Sequence, residues 1–174
     1  QTIDSSLTDK WVYNKRFIAH FDTSSIGAGA TISSATLSVF GNEKADGLSI
    51  APTINVYSST VSSDNTLAVS DYSQTGSTAF ATEITYGNIS TADYNDFTLN
   101  ASGIANLNLT GVSKFSVKEG KYDGGTSTPT WGAASQSRFI IHQSDEDGTA
   151  NDPKLVVVYT AAAGGAIPKI IISE

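Results

Sequence analysis

From Thr31 to Phe40 the chain reads T-I-S-S-A-T-L-S-V-F, with Ala35, Leu37 and Val39 on one side of a two-residue alternation and Ser34, Thr36 and Ser38 on the other. A period of two, carried by β-branched residues, predicts a half-buried strand. The same writing recurs on both sides of it. Arg16–Asp22 (R-F-I-A-H-F-D) puts Phe17, Ala19 and Phe21 on one face, and similar runs follow at Thr53–Ser58, Ala79–Tyr86, Tyr94–Leu99, Val112–Lys118, Arg138–Gln143 and Lys154–Thr160. The last, K-L-V-V-V-Y-T, is apolar on both faces and reads as a strand inside a sheet. Gly, Asn, Asp and Ser punctuate the gaps at Gly27–Gly29, Gly41–Gly47, Ser62–Asn65, Gly120–Gly125 and Gly148–Asp152. Helical spacing appears in one place, 100–108, where Ile104 and Leu107 lie three apart behind Asn100 as N-cap. The expected fold is therefore all-β: an antiparallel, jelly-roll-like β-sandwich of about eight strands with one short helix. Its core should hold Phe17, Phe21, Leu37, Val39, Val56, Phe115, Val117, Phe139, Leu155, Val157 and Tyr159.

Composition bounds the chemistry. The 174 residues include 10 Lys+Arg and 17 Asp+Glu, a formal charge of −7, and no Cys. Thiol nucleophiles, Cys-ligated metals and disulfides are excluded together. Phosphate recognition needs clustered cations, so the acidic balance argues against a nucleic-acid partner. No apolar stretch approaches the roughly 20 residues of a membrane-spanning helix. Ser and Thr make up about a quarter of the chain, a composition suited to sheets rather than helices. The chain also lacks Met, even at Gln1, which leads us to expect either a cleaved secretory leader or a domain cut from a longer chain.

The stretch Asn14–Phe40, N-K-R-F-I-A-H-F-D-T-S-S-I-G-A-G-A-T-I-S-S-A-T-L-S-V-F, resembles the opening of DNRLRE-type domains. These start on an Asn/Arg-led strand ending in Phe-Asp, followed by a Ser-Ser-Ile turn and T-I-x-x-A-x-L. Ser144–Thr160, S-D-E-D-G-T-A-N-D-P-K-L-V-V-V-Y-T, resembles the close of the same domains. The resemblance implies a jelly-roll-like sandwich of secreted, surface and phage structural proteins, related to carbohydrate-binding modules of polysaccharide lyases.

Motifs for catalysis are sparse. There is no G-x-S-x-G nucleophile turn and no phosphate-cradling G-x-x-x-x-G-K-[ST], and the reading is of a non-catalytic protein that requires no cofactor. Two strands share the pattern R-F-I-x-H, at Arg16–His20 and Arg138–His142. Side by side in one sheet they would set two Arg and two His on one face, either an anion or sugar site or an ordinary solvent face. Asp145, Glu146, Asp147, Asn151 and Asp152 surround a Gly turn with hard oxygen ligands. That suits calcium, and it equally suits a solvated acidic turn before Pro153. Trp131, Trp11, Tyr13 and Tyr122 are the candidate platforms for a glycan, or else core and interface anchors.

Residues 1–160 read as the sandwich and 161–174 as a linker plus a C-terminal strand. Ala161–Gly165 has linker composition, and Ile167, Pro168, Ile170, Ile171 and Ile172 form an apolar run that must pair with something. A domain ending on K-L-V-V-V-Y-T needs no further core strand, so we expect this segment to reach a neighbouring domain or another copy; folding back onto its own sheet is the alternative. The functional expectation is a structural or adhesion module of an extracellular surface assembly or virion, self-associating through β-sheet contacts. The alternative is a carbohydrate-binding module of a secreted multi-domain protein, with a polysaccharide partner.

Overall fold

The computed structural model describes residues 2–5, 13–127, 135–144, 148–162 and 169–173; of 2–5, 13, 135 and 169–173 it describes the backbone alone. The described residues form β1 (Thr2–Ser5), β2 (Tyr13–Asn14), β3 (Phe17–Asp22), β4 (Thr31–Asp46), β5 (Thr53–Ser58), β6 (Ile84–Thr85), β7 (Tyr94–Thr98), β8 (Val112–Glu119), β9 (Ser135–Ile141), β10 (Lys154–Thr160) and β11 (Lys169–Ser173). One α-helix, α1 (Ala101–Ala105), and three short 3-10 turns complete the elements of the described residues. The fold is the expected all-β sandwich. One sheet runs β11-β10-β4-β9-β1-β2 with β7 also on β4, and the other runs β3-β8-β5-β6. Every pairing is antiparallel. Among the described residues, no helix is long and apolar enough to cross a membrane.

The two-residue alternation decides what lies between the sheets. Leu37, Val39, Val56, Phe115, Leu155 and Val157 are fully buried, with Phe21, Val117, Phe139 and Tyr159 nearly so, while Phe17 sits half-buried at the rim of the same cluster. Asn100 caps α1 as its sequence position predicts, its Oδ1 accepting from the N–H of Ser102 at 3.0 Å and Gly103 at 3.1 Å. The helix is shorter than 100–108, because the chain turns at Asn106 to begin the approach to β8.

Three expectations need correction. The segment 41–47, read as a turn, continues β4 as far as Asp46, pairing with β9 from Gly41 onward across a bulge between Gly41 and Glu43, while Thr31–Ser38 pairs with β10; the turn itself begins at Gly47. A Cβ at Gly41 would lie 1.9 Å from the Ser90 carbonyl oxygen, so this glycine marks a close backbone approach within a strand. Ala79–Tyr86 is a strand only at Ile84–Thr85; Phe80 and Ala81 are buried from a coil that docks by Phe80 N–H on the Val56 carbonyl at 2.8 Å. Finally, β11 pairs with β10 of the same chain, in register Leu155↔Ser173 to Tyr159↔Lys169. The C-terminal strand folds back onto its own sheet, as in the alternative reading. The reason is that β10 pairs with β4 along one edge only, leaving the other edge with unsatisfied backbone groups within reach of the tail.

Candidate functional site

A groove of about 590 Å³ runs along β3. Five consecutive residues, Phe17 to Phe21, line its floor, so the strand presents its backbone edge as well as its side chains. Asp64 to Leu67 form one wall, and Gln143, Ser144 and Pro153 the other. Among the described residues, β3 has one ladder neighbour, β8. The N–H of Thr23 donates to the Gly111 carbonyl on that side, and the unbroken register Phe17↔Val117 to Asp22↔Val112 continues the alternation. Phe17, Ala19 and Phe21 therefore bond inward to β8, and the N–H and C=O groups of Ile18, His20 and Asp22 point into the groove.

Above this edge, the segment after β5 lies across the outer face of the β3-β8-β5-β6 sheet and is tied down at several points. His20 Nδ1 lies 2.8 Å from the Asp64 carbonyl oxygen; a carbonyl only accepts, so Nδ1 carries a proton. Lys114 Nζ donates to the carbonyl of Val61 at 2.8 Å and pairs with the Asp64 carboxylate at 2.6 Å. Arg16 forks onto Asp123 through Nε at 2.9 Å and Nη2 at 2.6 Å, donates to Thr75 Oγ1 at 3.0 Å, and stacks over the Tyr72 ring at 4.2 Å. Donating to Asp123 raises the pKa of the guanidinium further above its already high value, against the cost of burial. Among the described residues, the polar atoms His20 Nε2, Ser59 Oγ and Ser116 Oγ on this face are buried without a hydrogen-bond partner. Lys118, 4% exposed, sits over the Tyr57 ring at 4.7 Å, and burial lowers its pKa.

Carboxylates do similar work elsewhere. Glu119, 1% exposed, accepts from the backbone N–H of Thr53, Lys121, Tyr122 and Asp123. Asp46 accepts from the N–H of Ile50 and Ala51 and from the Ser137 hydroxyl, holding a turn in which Ser49 and Ala51 have φ of 54° and 45°. Asp71 caps its own 3-10 turn by accepting from Ala68 N–H at 2.8 Å. Lys44 donates to the carbonyls of Tyr86 and Ile89. Sequence reading missed all four, because each meets partners that the strand alternation does not mark.

The R-F-I-x-H strands do not meet. β3 and β9 belong to different sheets, so the two Arg and two His form no common face. Arg138 pairs with Glu43 on β4, and His142 stands edge-on to Phe40 at 5.3 Å. Tyr122, offered as a glycan platform, donates its hydroxyl to the Ile50 carbonyl at 2.8 Å and packs against Leu48 and Ile50, with Lys121 over its ring at 4.7 Å. Trp11 and Trp131 lie outside the described residues, and of Tyr13 only the backbone is described, paired with Asp4. Asp145, Glu146 and Asp147 also lie outside them. Asp152 is buried and its carbonyl accepts from the Tyr94 hydroxyl, with Asn151 half-buried beside it. Among the described residues, no three metal-ligating side chains gather. Ile167 and Pro168 fall outside the described residues, while Ile170, Ile171 and Ile172 lie in β11 opposite Val158, Val157 and Val156. Comparison of the chain with protein-family models, with curated proteins and with solved structures finds no match.

Proposed function

We propose that the chain is a non-catalytic structural or adhesion module of an extracellular surface assembly or virion, self-associating through β-sheet contacts, as the resemblance to DNRLRE-type domains implies. The observation that carries this reading is how the charged and amide side chains are used. Arg16, Lys44, Asp46, Lys114 and Glu119 each strap a loop or turn to the sheets. A scaffold that must stay rigid on a surface gains from that use of charge, whereas a catalytic group needs a partner at a reacting centre. The test is electron microscopy of the purified chain beside a glycan array. Ordered assemblies without glycan binding support the structural reading. Glycan binding lost on Trp131→Ala, with no self-association, overturns it in favour of a carbohydrate-binding module. The acidic loop from Asp145 to Asp152 enters the same reading as a calcium-pinned loop. Millimolar calcium should then raise the melting temperature relative to chelator, by mass action on the folded state. Coincident melting curves overturn the calcium assignment.

A further inference from the structure

We infer that the segment 60–76 is a hinged strap, fastened by side-chain ties instead of apolar packing, that opens without unfolding the sandwich and, while closed, shields the free edge of β3 from strand addition. Its ends meet in a neck. Thr60 N–H donates to the Gln74 carbonyl at 2.9 Å, Gly76 N–H donates to the Ser58 carbonyl at 3.0 Å, and Ser59 bridges Thr75. Beyond the neck the strap contributes almost nothing to the core. From 62 to 73 only Asp71 is buried, and its carboxylate is occupied by Ala68 N–H within the strap itself. The large apolar residues there, Leu67, Val69 and Tyr72, are 65%, 97% and 46% exposed. Three side chains of the sheet beneath hold the strap down. Lys114 takes the Val61 carbonyl and the Asp64 carboxylate, His20 takes the Asp64 carbonyl, and Arg16 takes the Tyr72 carbonyl and Thr75 Oγ1.

The layer under the strap favours opening. His20 stands opposite Lys114, and Ile18 stands opposite Ser116, which in turn stands opposite Tyr57. The ties at Lys114 and at Arg16 therefore fall on either side of Ser116. Ser116 is fully buried and Ser59 nearly so, yet among the described residues neither hydroxyl, nor His20 Nε2, has a hydrogen-bond partner. A buried polar group without a partner carries a desolvation cost that water removes on opening. A segment with few buried apolar contacts above such a layer opens at a free energy well below that of global unfolding. Its position gives the motion a consequence, because Asp64 to Leu67 form one wall of the β3 groove. Closed, the strap keeps the N–H and C=O groups of Ile18, His20 and Asp22 at the floor of a cleft. Covering an edge with a loop is one way proteins prevent edge-to-edge pairing, and β3 carries no Pro, bulge or Lys of its own. The strap acts in this way in a structural module and in a carbohydrate-binding one alike.

The experiment is thiol labelling of single-cysteine variants of the full chain, which has no Cys of its own. Ser116→Cys reports access beneath the strap, and Val157→Cys, at a fully buried core position, reports unfolding of the sandwich. Hydrogen exchange at the amides of β4 and β10 is the second measure of global opening. Ser116→Cys should label roughly 100-fold faster than Val157→Cys. Lys114→Met removes the ties to Val61 and Asp64; it should speed labelling of Ser116→Cys about tenfold and leave Val157→Cys within about twofold. Ser116→Ala should slow labelling of Ser59→Cys about tenfold, because it takes an unpartnered hydroxyl out of the closed state. Equal labelling at the two positions, or a rate at Ser116→Cys indifferent to Lys114→Met, overturns the strap. Unchanged or faster labelling after Ser116→Ala overturns the part assigned to the polar layer. Light scattering reads the shielding. Lys114→Met should associate more than the parent. Ile18→Pro, which removes an N–H that faces the groove, and Ile18→Lys, which adds the charge that natural edges carry, should each return it to the parent's level. Association of Lys114→Met no greater than the parent's, or unmoved by both edge variants, overturns the shielding role.

Discussion

Replacing Glu119 by Gln is the most exposing perturbation of this fold. Its carboxylate is 1% exposed and receives four backbone donors: Oε1 takes Thr53 N–H at 3.0 Å and Lys121 N–H at 3.1 Å, and Oε2 takes Tyr122 N–H and Asp123 N–H. Those donors span the start of β5 and the turn after β8, so one side chain ties two parts of the sheet together. A carboxamide has a single acceptor oxygen, and its NH₂ would face two N–H donors. Two charge-assisted bonds disappear, each contributing about 1.5–3 kcal/mol. Local opening to water returns part of this, and we expect a loss of about 3 kcal/mol. For a chain of this size each kcal/mol moves the melting temperature by roughly 2–4 °C, so Glu119→Gln should melt about 6–12 °C lower. Glu43→Gln is the control, because the Glu43–Arg138 pair is solvent-exposed and contributes under about 1 kcal/mol. Thermal and urea unfolding read the global effect, and hydrogen exchange should speed up at the amides of Thr53 and 121–123. A Glu119→Gln variant that melts within about 2 °C of the parent, like its control, refutes the four-donor account.

Three further outcomes are expected. Ala51 holds a φ of 45°, so Ala51→Gly should relieve strain and raise stability by about 0.5–1 kcal/mol, measured by urea unfolding. Burial pushes the Tyr57 hydroxyl up to about 12 from 10, aided by Glu119, Glu83 and Asp123. Between those pH values the unfolded chain ionises while the native one does not, so stability falls as pH rises through that window, and Tyr57→Phe should flatten the fall in a pH-dependent melt. Ending the chain at Ala162 strips β10 of its β11 partner and should lower the melting temperature and increase aggregation, which light scattering would register; an unchanged melt would mean that β11 adds nothing to the sheet.

The sandwich was legible because burial on one face imposes a period of two that any reader of the sequence can see. Leu37 and Phe115 stand between polar neighbours, and both are fully buried. Asn100 was legible for a similar reason, since a cap acts two and three residues away. What escaped is of longer range. Glu119 meets Thr53 across 66 positions, and Arg16 meets Asp123 across 107, separations that no local pattern encodes. The two R-F-I-x-H strands show the limit plainly: identical local writing lands on opposite sheets, because sheet membership depends on the order of strands rather than on their spelling. Gly41 misled for another reason. Glycine usually signals a turn, but here it permits β4 to pass against Ser90, a demand made by a distant backbone.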